Sequence, residues 1–453
     1  MKLKFIFTIF LFLTIILFFV FSTDVRILGV KLYPQKKSTW CWAASIAMVN
    51  NFEIGYSKDT INQCKLLDSL SCDCCDSKVV CRGDTCDDCE NLLLKNQFED
   101  LLNTLPFTYD TLTNILDSSQ ITQQIDLNKP FIVGDIVQET GVGLWAQHYF
   151  VGFGYINTFD KQWVFIRDPW QTCVGCTYAI PYSAIKNGGE NISRIDPIQT
   201  PFTYYNFTPK NKFTTPTIEK YFYSFIHYFR NLFSINKLKN STWGFSFSDI
   251  NDKNNLKQLT PLLKNAPTEL LQQIGITDKS LSNFQVSKAY LGKNILLSPK
   301  ENSIELAKRI ITSDETIVIV NVLDENGIPI SGITLVKNGD FWEVSKFASC
   351  PWLPFAKSVA KNAITTRFTK FDLSKVIEKE HFTLLPTQYQ FYKIEYEGQI
   401  YYFPKNNYSD IQNTFYTQAT FAYEIAPKIA KEYYQNLLSS KSASPLTNPH
   451  KPH

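Results

Sequence analysis

In Gln35-Lys36-Lys37-Ser38-Thr39-Trp40-Cys41-Trp42-Ala43-Ala44-Ser45, a cysteine opens an apolar segment and a glutamine precedes it by six residues. Trp42, Ile46 and Val49 recur on one helical face, which predicts a helix over Cys41 to Phe52 with Ser38 or Thr39 as its hydroxyl cap. Cys41 then sits in the first turn, where unsatisfied backbone N–H groups and the positive end of the macrodipole favour a thiolate. Gln35 is placed to reach back across the turn. Its side-chain amide and the Cys41 backbone N–H would together hold the oxyanion of a tetrahedral intermediate. A helix cysteine is commonly a buried packing residue, so the nucleophile reading needs a base and an orienting group further along.

Candidates for both follow. A helix is predicted over Glu90 to Leu105 from the stripe Leu92, Leu93, Phe98, Leu101 and Leu102. A shorter one starts at a Ser118 or Ser119 cap, runs through Ile121 and Ile125, and ends at Lys129-Pro130. Three strand-like runs come next, at Phe131 to Val137, His148 to Tyr155 and Gln162 to Asp168. Helices first and an antiparallel sheet afterwards define an α+β class. His148 opens the middle strand; alone it would read as a core histidine, and with Gln35 and Cys41 it reads as the base that takes the thiol proton. Asp168 closes the third strand ahead of Pro169. Asp-Pro is an ordinary turn initiator, and a carboxylate there would equally accept the imidazole N–H and fix its tautomer.

This set of residues resembles the papain-like cysteine proteases, most closely the bacterial branch with a W-C-W-A-A core that includes AvrRpt2-like and C39-like proteins. The resemblance runs from about Lys31 to Ala184. It implies a papain-like catalytic domain that hydrolyses peptide bonds in protein or peptide substrates without cofactor or metal. Cys41 would be the nucleophile, His148 the base, Asp168 the orienting carboxylate and Gln35 the oxyanion-hole donor. Many papain relatives carry Asn at the orienting position, so Asp168 sides with the C39-like proteins. Two other readings stand beside this one. Cell-wall peptide amidases of the NlpC/P60 type share the Cys-His logic but usually show a D-C-S-G stretch, which is absent here. A non-catalytic secreted binding module on a papain-like scaffold would lack the essential residues, and all four are present.

With 453 residues, 44% hydrophobic and 19% charged, the chain is long enough for two or three globular domains. A net charge of +3, without a basic stripe or a phosphate-cradling glycine loop, gives no sign of a nucleic-acid partner. Lys2 and Lys4 precede an apolar run from Phe5 to Phe21. That is the layout of a secretory signal, or of an N-terminal anchor nearly long enough to span a bilayer and tether the protein. Residues 1–23 are assigned to it, and the remainder is expected to be secreted, periplasmic or at the cell surface. Of 11 cysteines, ten remain beside Cys41, and seven lie between Cys64 and Cys89 among Asp, Ser and Gly. Such a segment has no apolar core of its own, so disulfides are expected, with Cys86-x-x-Cys89 leaving a zinc site as the competing reading. Seven cysteines need a partner elsewhere, and Cys173, Cys176 and Cys350 are the candidates.

The expected organisation is a catalytic domain over 24–200 with a Cys-rich insertion at 64–89, and then a connecting region over 201–240. The connection consists of an aperiodic linker, Pro201 to Pro216, and an aromatic helix, Ile218 to Ile235. A separate α+β accessory domain is expected over 241–440 and a disordered tail over 441–453. In the accessory part, Thr316 to Leu323 reads as a strand, Ile333 to Lys337 and Phe341 to Ser345 as a hairpin, and Tyr392 to Tyr396 with Ile400 to Phe403 as another around Glu397-Gly398. Ala422 to Leu438 reads as a helix despite Pro427. No nucleophile-base pair or metal cluster stands out in this half, so its expected role is substrate binding, contact with a partner protein, or regulation.

Overall fold

The computed structural model describes residues 24–36, 40–55, 61–68, 95–140, 143–158, 161–170, 175–186, 201–210, 246–247 and, with interruptions, 259–435. The N-terminal signal or anchor, the Cys72 to Cys89 loop, the aromatic helix Ile218 to Ile235 and the 441–453 tail lie outside the described residues.

The Cys41 segment forms α1 (Cys41–Ile54), with Trp40 at its N-cap and no side-chain cap bond; Ser38 and Thr39 fall outside the described residues. The spacing predicts one buried face, whereas every residue from Cys41 to Asn51 is buried. A helix that is covered all round belongs to the core. Its buried Asn51 amide is satisfied by the Ile61 backbone, donating to the carbonyl and accepting from the N–H at 2.9 Å each. Three shorter helices follow, α2 (Gln63–Asp68), α3 (Lys95–Thr104) and α4 (Ser118–Asp126). The cap of α4 is Asp117 rather than Ser118 or Ser119. Its carboxylate accepts from Gln120 N–H and the Gln120 side chain accepts from Asp117 N–H, both at 2.8 Å, a reciprocal capping box.

The strands of the first half are β1 (Asp24–Ile27), β2 (Phe107–Leu112), β3 (Phe131–Thr140), β4 (Gly143–Asn157), β5 (Gln162–Asp168), β6 (Cys176–Pro181) and β7 (Phe202–Pro209). In the second half they are β8 (Ser246–Phe247), β9 (Gln285–Val286), β10 (Tyr290–Leu296), β11 (Ile317–Leu323), β12 (Pro329–Asn338), β13 (Phe341–Ala348), β14 (Ile377–Leu385), β15 (Gln390–Tyr396), β16 (Gln399–Pro404) and β17 (Tyr416–Thr417). Pairing runs β2-β7-β3-β4-β5-β6 and continues through β13, β12, β11 and β10 to β14, β15, β16 and β17. Among the described pairs only β10 with β14 is parallel. The result is an α+β protein built on one large, mostly antiparallel sheet.

Two sequence expectations change here. Residues 201–209 are not linker: β7 pairs with both β2 and β3 and buries Phe202, Thr203, Tyr204 and Phe207. Nor do the two halves have separate cores at a boundary near 200–240. Phe347 and Ala348 of β13 pair with Ala179 and Tyr178 of β6, and one hydrophobic cluster takes side chains from Val25 through Phe207 and on from Leu259 through Phe347. The second half adds its own cluster around Leu306, Phe382, Phe391, Tyr402 and Phe421.

The expected hairpins are present. Glu397 and Gly398, both with positive φ (50° and 77°), turn β15 into β16 in the two-residue geometry that matches strand twist. The C-terminal helix starts at Gln418, opens into a π turn at Phe421–Ile425 and continues over 426–432. Pro427 in its last part lacks an N–H to close a regular turn.

Two glycines of β4 have steric reasons. A Cβ on Gly152 would lie 2.1 Å from the Phe131 ring, and one on Gly154 would lie 2.8 Å from the Arg26 carbonyl oxygen. The first lets an aromatic ring cross the strand. The second lets β1 pair closely along Gly154 to Asn157, beyond the stretch of β4 that β3 occupies.

Candidate active site

Cys41 is the first residue of α1, His148 lies in β4, and Asp168 is the last residue of β5. The antiparallel register sets Val151 opposite Arg167, which carries the end of β5 alongside His148. His148 Nε2 lies 2.8 Å from Asp168 Oδ1, and both side chains are buried. The same Oδ1 accepts the Trp170 N–H at 2.9 Å. Asp168 is therefore a turn-former and a histidine partner at once, since an aspartate commonly bonds the backbone two residues on. The Trp170 indole stands edge-on to the imidazole, with ring centroids 5.3 Å apart. Both members of the His148-Asp168 pair are buried, and the exclusion of water strengthens the charge interaction between them. The sequence signal for Trp170 was its place in Asp168-Pro169-Trp170.

The other ring nitrogen of His148, Nδ1, is buried and bonded to no nitrogen or oxygen. Cys41 is, after Asp168, an influence that favours the charged form of this ring. The electrostatics are a contest. Burial is the largest influence and pulls the imidazole down; the charge and hydrogen bond of Asp168, joined by Cys41, outweigh it and raise the ring from 6.5 to about 9. At neutral pH the ring holds its proton. Cys41 and His148 keep only 2% and 3% of their surface exposed.

Gln35 is buried, and its segment is brought to the Asp168 turn by a backbone bond in which Gln35 N–H donates to the Pro169 carbonyl at 2.9 Å. A residue the sequence reading missed, Gln63 at the start of α2, holds the same segment. Its Oε1 accepts from Lys36 N–H at 2.9 Å and its Nε2 donates to the Pro34 carbonyl at 2.8 Å. Nothing in the sequence around Gln63 announces this, because the contact spans 27 residues.

Tyr149, next to His148, is buried against Phe98, with ring centroids 4.3 Å apart. Burial, reinforced by Cys41 and Glu99, pushes its hydroxyl well above the usual range, so it stays protonated and is no candidate base. Among the described residues no group of three or more His, Cys, Asp or Glu side chains is arranged to hold a metal ion, and Cys86-x-x-Cys89 lies outside them. Cys176 pairs with Cys350 across the two halves, so neither is the partner of the Cys64 to Cys89 group. Cys64 is disulfide-bonded, and Cys41 is the free cysteine among the described residues.

An α+β fold with a buried cysteine at a helix start and a buried histidine-carboxylate pair fits a papain-like thiol hydrolase. Residues 27–188 match the model of the Peptidase_C39 like family, in keeping with a papain-like cysteine protease domain on the N-terminal side. The matched segment is just over a third of the 453 residues and leaves the second half unassigned. The family suggests a peptidase with a protein or peptide substrate. No curated protein matches the chain.

Proposed function

We propose that this protein is an exported cysteine peptidase that cleaves peptide bonds through Cys41, His148 and Asp168, with Gln35 as oxyanion donor. The observation that carries the reading is the buried His148-Asp168 bond of 2.8 Å, in a chain whose Cys41 is buried at the first residue of α1. The protonated ring balances a Cys41 thiolate, which attacks the substrate carbonyl carbon. The carbonyl oxygen becomes an oxyanion and accepts hydrogen bonds from the Gln35 amide and the Cys41 backbone N–H. As the C–N bond breaks, His148 gives its proton to the leaving amine. The acyl thioester is then hydrolysed by a water that His148, now neutral, deprotonates. Asp168 keeps the imidazole in register and stabilises its charged form.

Export fits the apolar run after Lys2 and Lys4 and the disulfides at Cys64 and Cys176–Cys350, which persist in oxidising compartments. The test is Cys41→Ala. Peptide hydrolysis and labelling by thiol-directed inhibitors should both vanish while the fold persists, because alanine is favourable in a helix. Undiminished hydrolysis in that variant would refute the assignment.

A further inference from the structure

We infer that Gln63 is the positioning residue of the oxyanion site, its side-chain amide fixing the backbone on both sides of Gln35 in place of a pairing strand. The inference rests on the role given to Gln35 above. Two peptide planes meet at the Gln35 Cα. The first is held at both ends, its Pro34 carbonyl accepting from Gln63 Nε2 at 2.8 Å and its Gln35 N–H donating to the Pro169 carbonyl at 2.9 Å. The second is held at the Lys36 N–H, which donates to Gln63 Oε1 at 2.9 Å. With both planes fixed, the Cα–Cβ direction of Gln35 is fixed, and so is the arc its amide can sweep. The two bonds from one primary amide, to the carbonyl before Gln35 and from the N–H after it, have the donor-acceptor pattern of a parallel neighbour.

The cost of this arrangement is met locally. Gln63 is only 5% exposed, yet both ends of its amide are satisfied by these backbone partners. It is also anchored from behind, since it opens α2 beside the disulfide-bonded Cys64, whose sulfur lies 3.8 Å from Lys36 Nζ. The root of the cysteine-rich insertion is thereby tied to the Pro34-Gln35-Lys36 segment, which touches the Asp168 turn through the Gln35 N–H. Preorganised donors act without reorganising during reaction, so loosening this clamp should cost transition-state stabilisation and leave substrate binding intact.

The experiment is a mutant cycle on the full chain, using a fluorogenic peptide selected from a library on the wild-type protein and the aldehyde of the same peptide as intermediate mimic. Gln63→Ala should lower kcat on the order of ten- to a hundredfold with KM unchanged, and weaken aldehyde inhibition by a similar factor. Gln63→Glu, which keeps the acceptor for Lys36 N–H and loses the donor to Pro34, should fall between. In a Gln35→Ala background Gln63→Ala should lower kcat no further. Equal losses in both backgrounds, or a change confined to KM, would overturn the inference while leaving the peptidase assignment standing. A wild-type protein that neither cleaves the library nor forms a Cys41 adduct with aldehydes would overturn the assignment and the inference together. Should neither Gln63 variant fold, amide exchange on the wild-type protein decides: the Gln35 and Lys36 amides should exchange as slowly as those of β5, and fast exchange would refute the clamp.

Discussion

Replacing Asp168 by alanine should move the alkaline limb of activity to lower pH. In the wild-type protein the His148 ring titrates at about 9 against an ordinary 6.5, although burial, the largest influence, acts downward. At about 1.4 kcal/mol per unit, the environment favours the imidazolium by roughly 3 kcal/mol net. The charge and hydrogen bond of Asp168 head the contributions that raise it. Without them the ring should hold its proton less tightly and titrate below about 9. Two donors, His148 Nε2–H and Trp170 N–H, also lose their shared acceptor, at a cost of about 1–3 kcal/mol for each that stays buried and unpaired. The assay is kcat/KM against pH, whose limbs report the free enzyme's acid and base. Wild-type activity should fall with a midpoint near 9. The alkaline limb of Asp168→Ala should lie at lower pH, with a loss on the order of a hundredfold or more at neutral pH. Asp168→Asn, which keeps an acceptor and removes the charge, should lie between them. An alkaline limb still near 9 in Asp168→Ala would show that Asp168 does not hold the proton on His148, and the reasoning would fail.

Gln35→Ala should lower kcat by about a hundredfold with little change in KM, because its bond strengthens as the oxyanion forms; a pure KM effect would make Gln35 a substrate contact. The His148 pair should also appear in stability. A group that titrates higher when folded contributes in full below its unfolded value near 6.5 and loses that contribution as pH rises through about 9. The Tm difference between wild type and His148→Gln should shrink over that window, and a constant difference would contradict it. Gly154→Ala should cost about 1–3 kcal/mol, since its Cβ would meet backbone atoms at 2.8 and 3.1 Å that cannot give way. Gly29→Ala, with nothing within 4 Å, is the control, and equal denaturation midpoints would refute the steric argument. Free-thiol titration of the unfolded, unreduced protein should count one thiol, Cys41; several free thiols would overturn the oxidised reading.

What could be read from sequence depended on how local the cause was. The helix at Cys41 and the strands leading to Tyr155 and Asp168 announce themselves through their runs of apolar residues, although each is buried on more sides than the spacing implies. β7 hides because its burial does not alternate: Phe202, Thr203 and Tyr204 are buried in succession between two neighbouring strands. The cap of α4 was missed by one residue because Asp117, Ser118 and Ser119 all carry capping oxygens, and only the reciprocal bond with Gln120 distinguishes them. The shared core escaped notice because β13 meets β6 through two residue pairs and a disulfide, contacts made 168 or more residues apart. Gln63 belongs to the same class, since a glutamine that bonds backbone at a distance has no local signature. Asp168 was legible as a turn and as a histidine partner, and it serves in both capacities.

The most direct test is to catch the acyl group. The protein is mixed with an activated ester of a blocked peptide, quenched in acid within the first turnover, and mapped by mass spectrometry. The acyl mass should appear on the peptide containing Cys41, and should be absent in Cys41→Ala along with turnover. An acyl group on another residue, or turnover that persists without Cys41, would contradict the account.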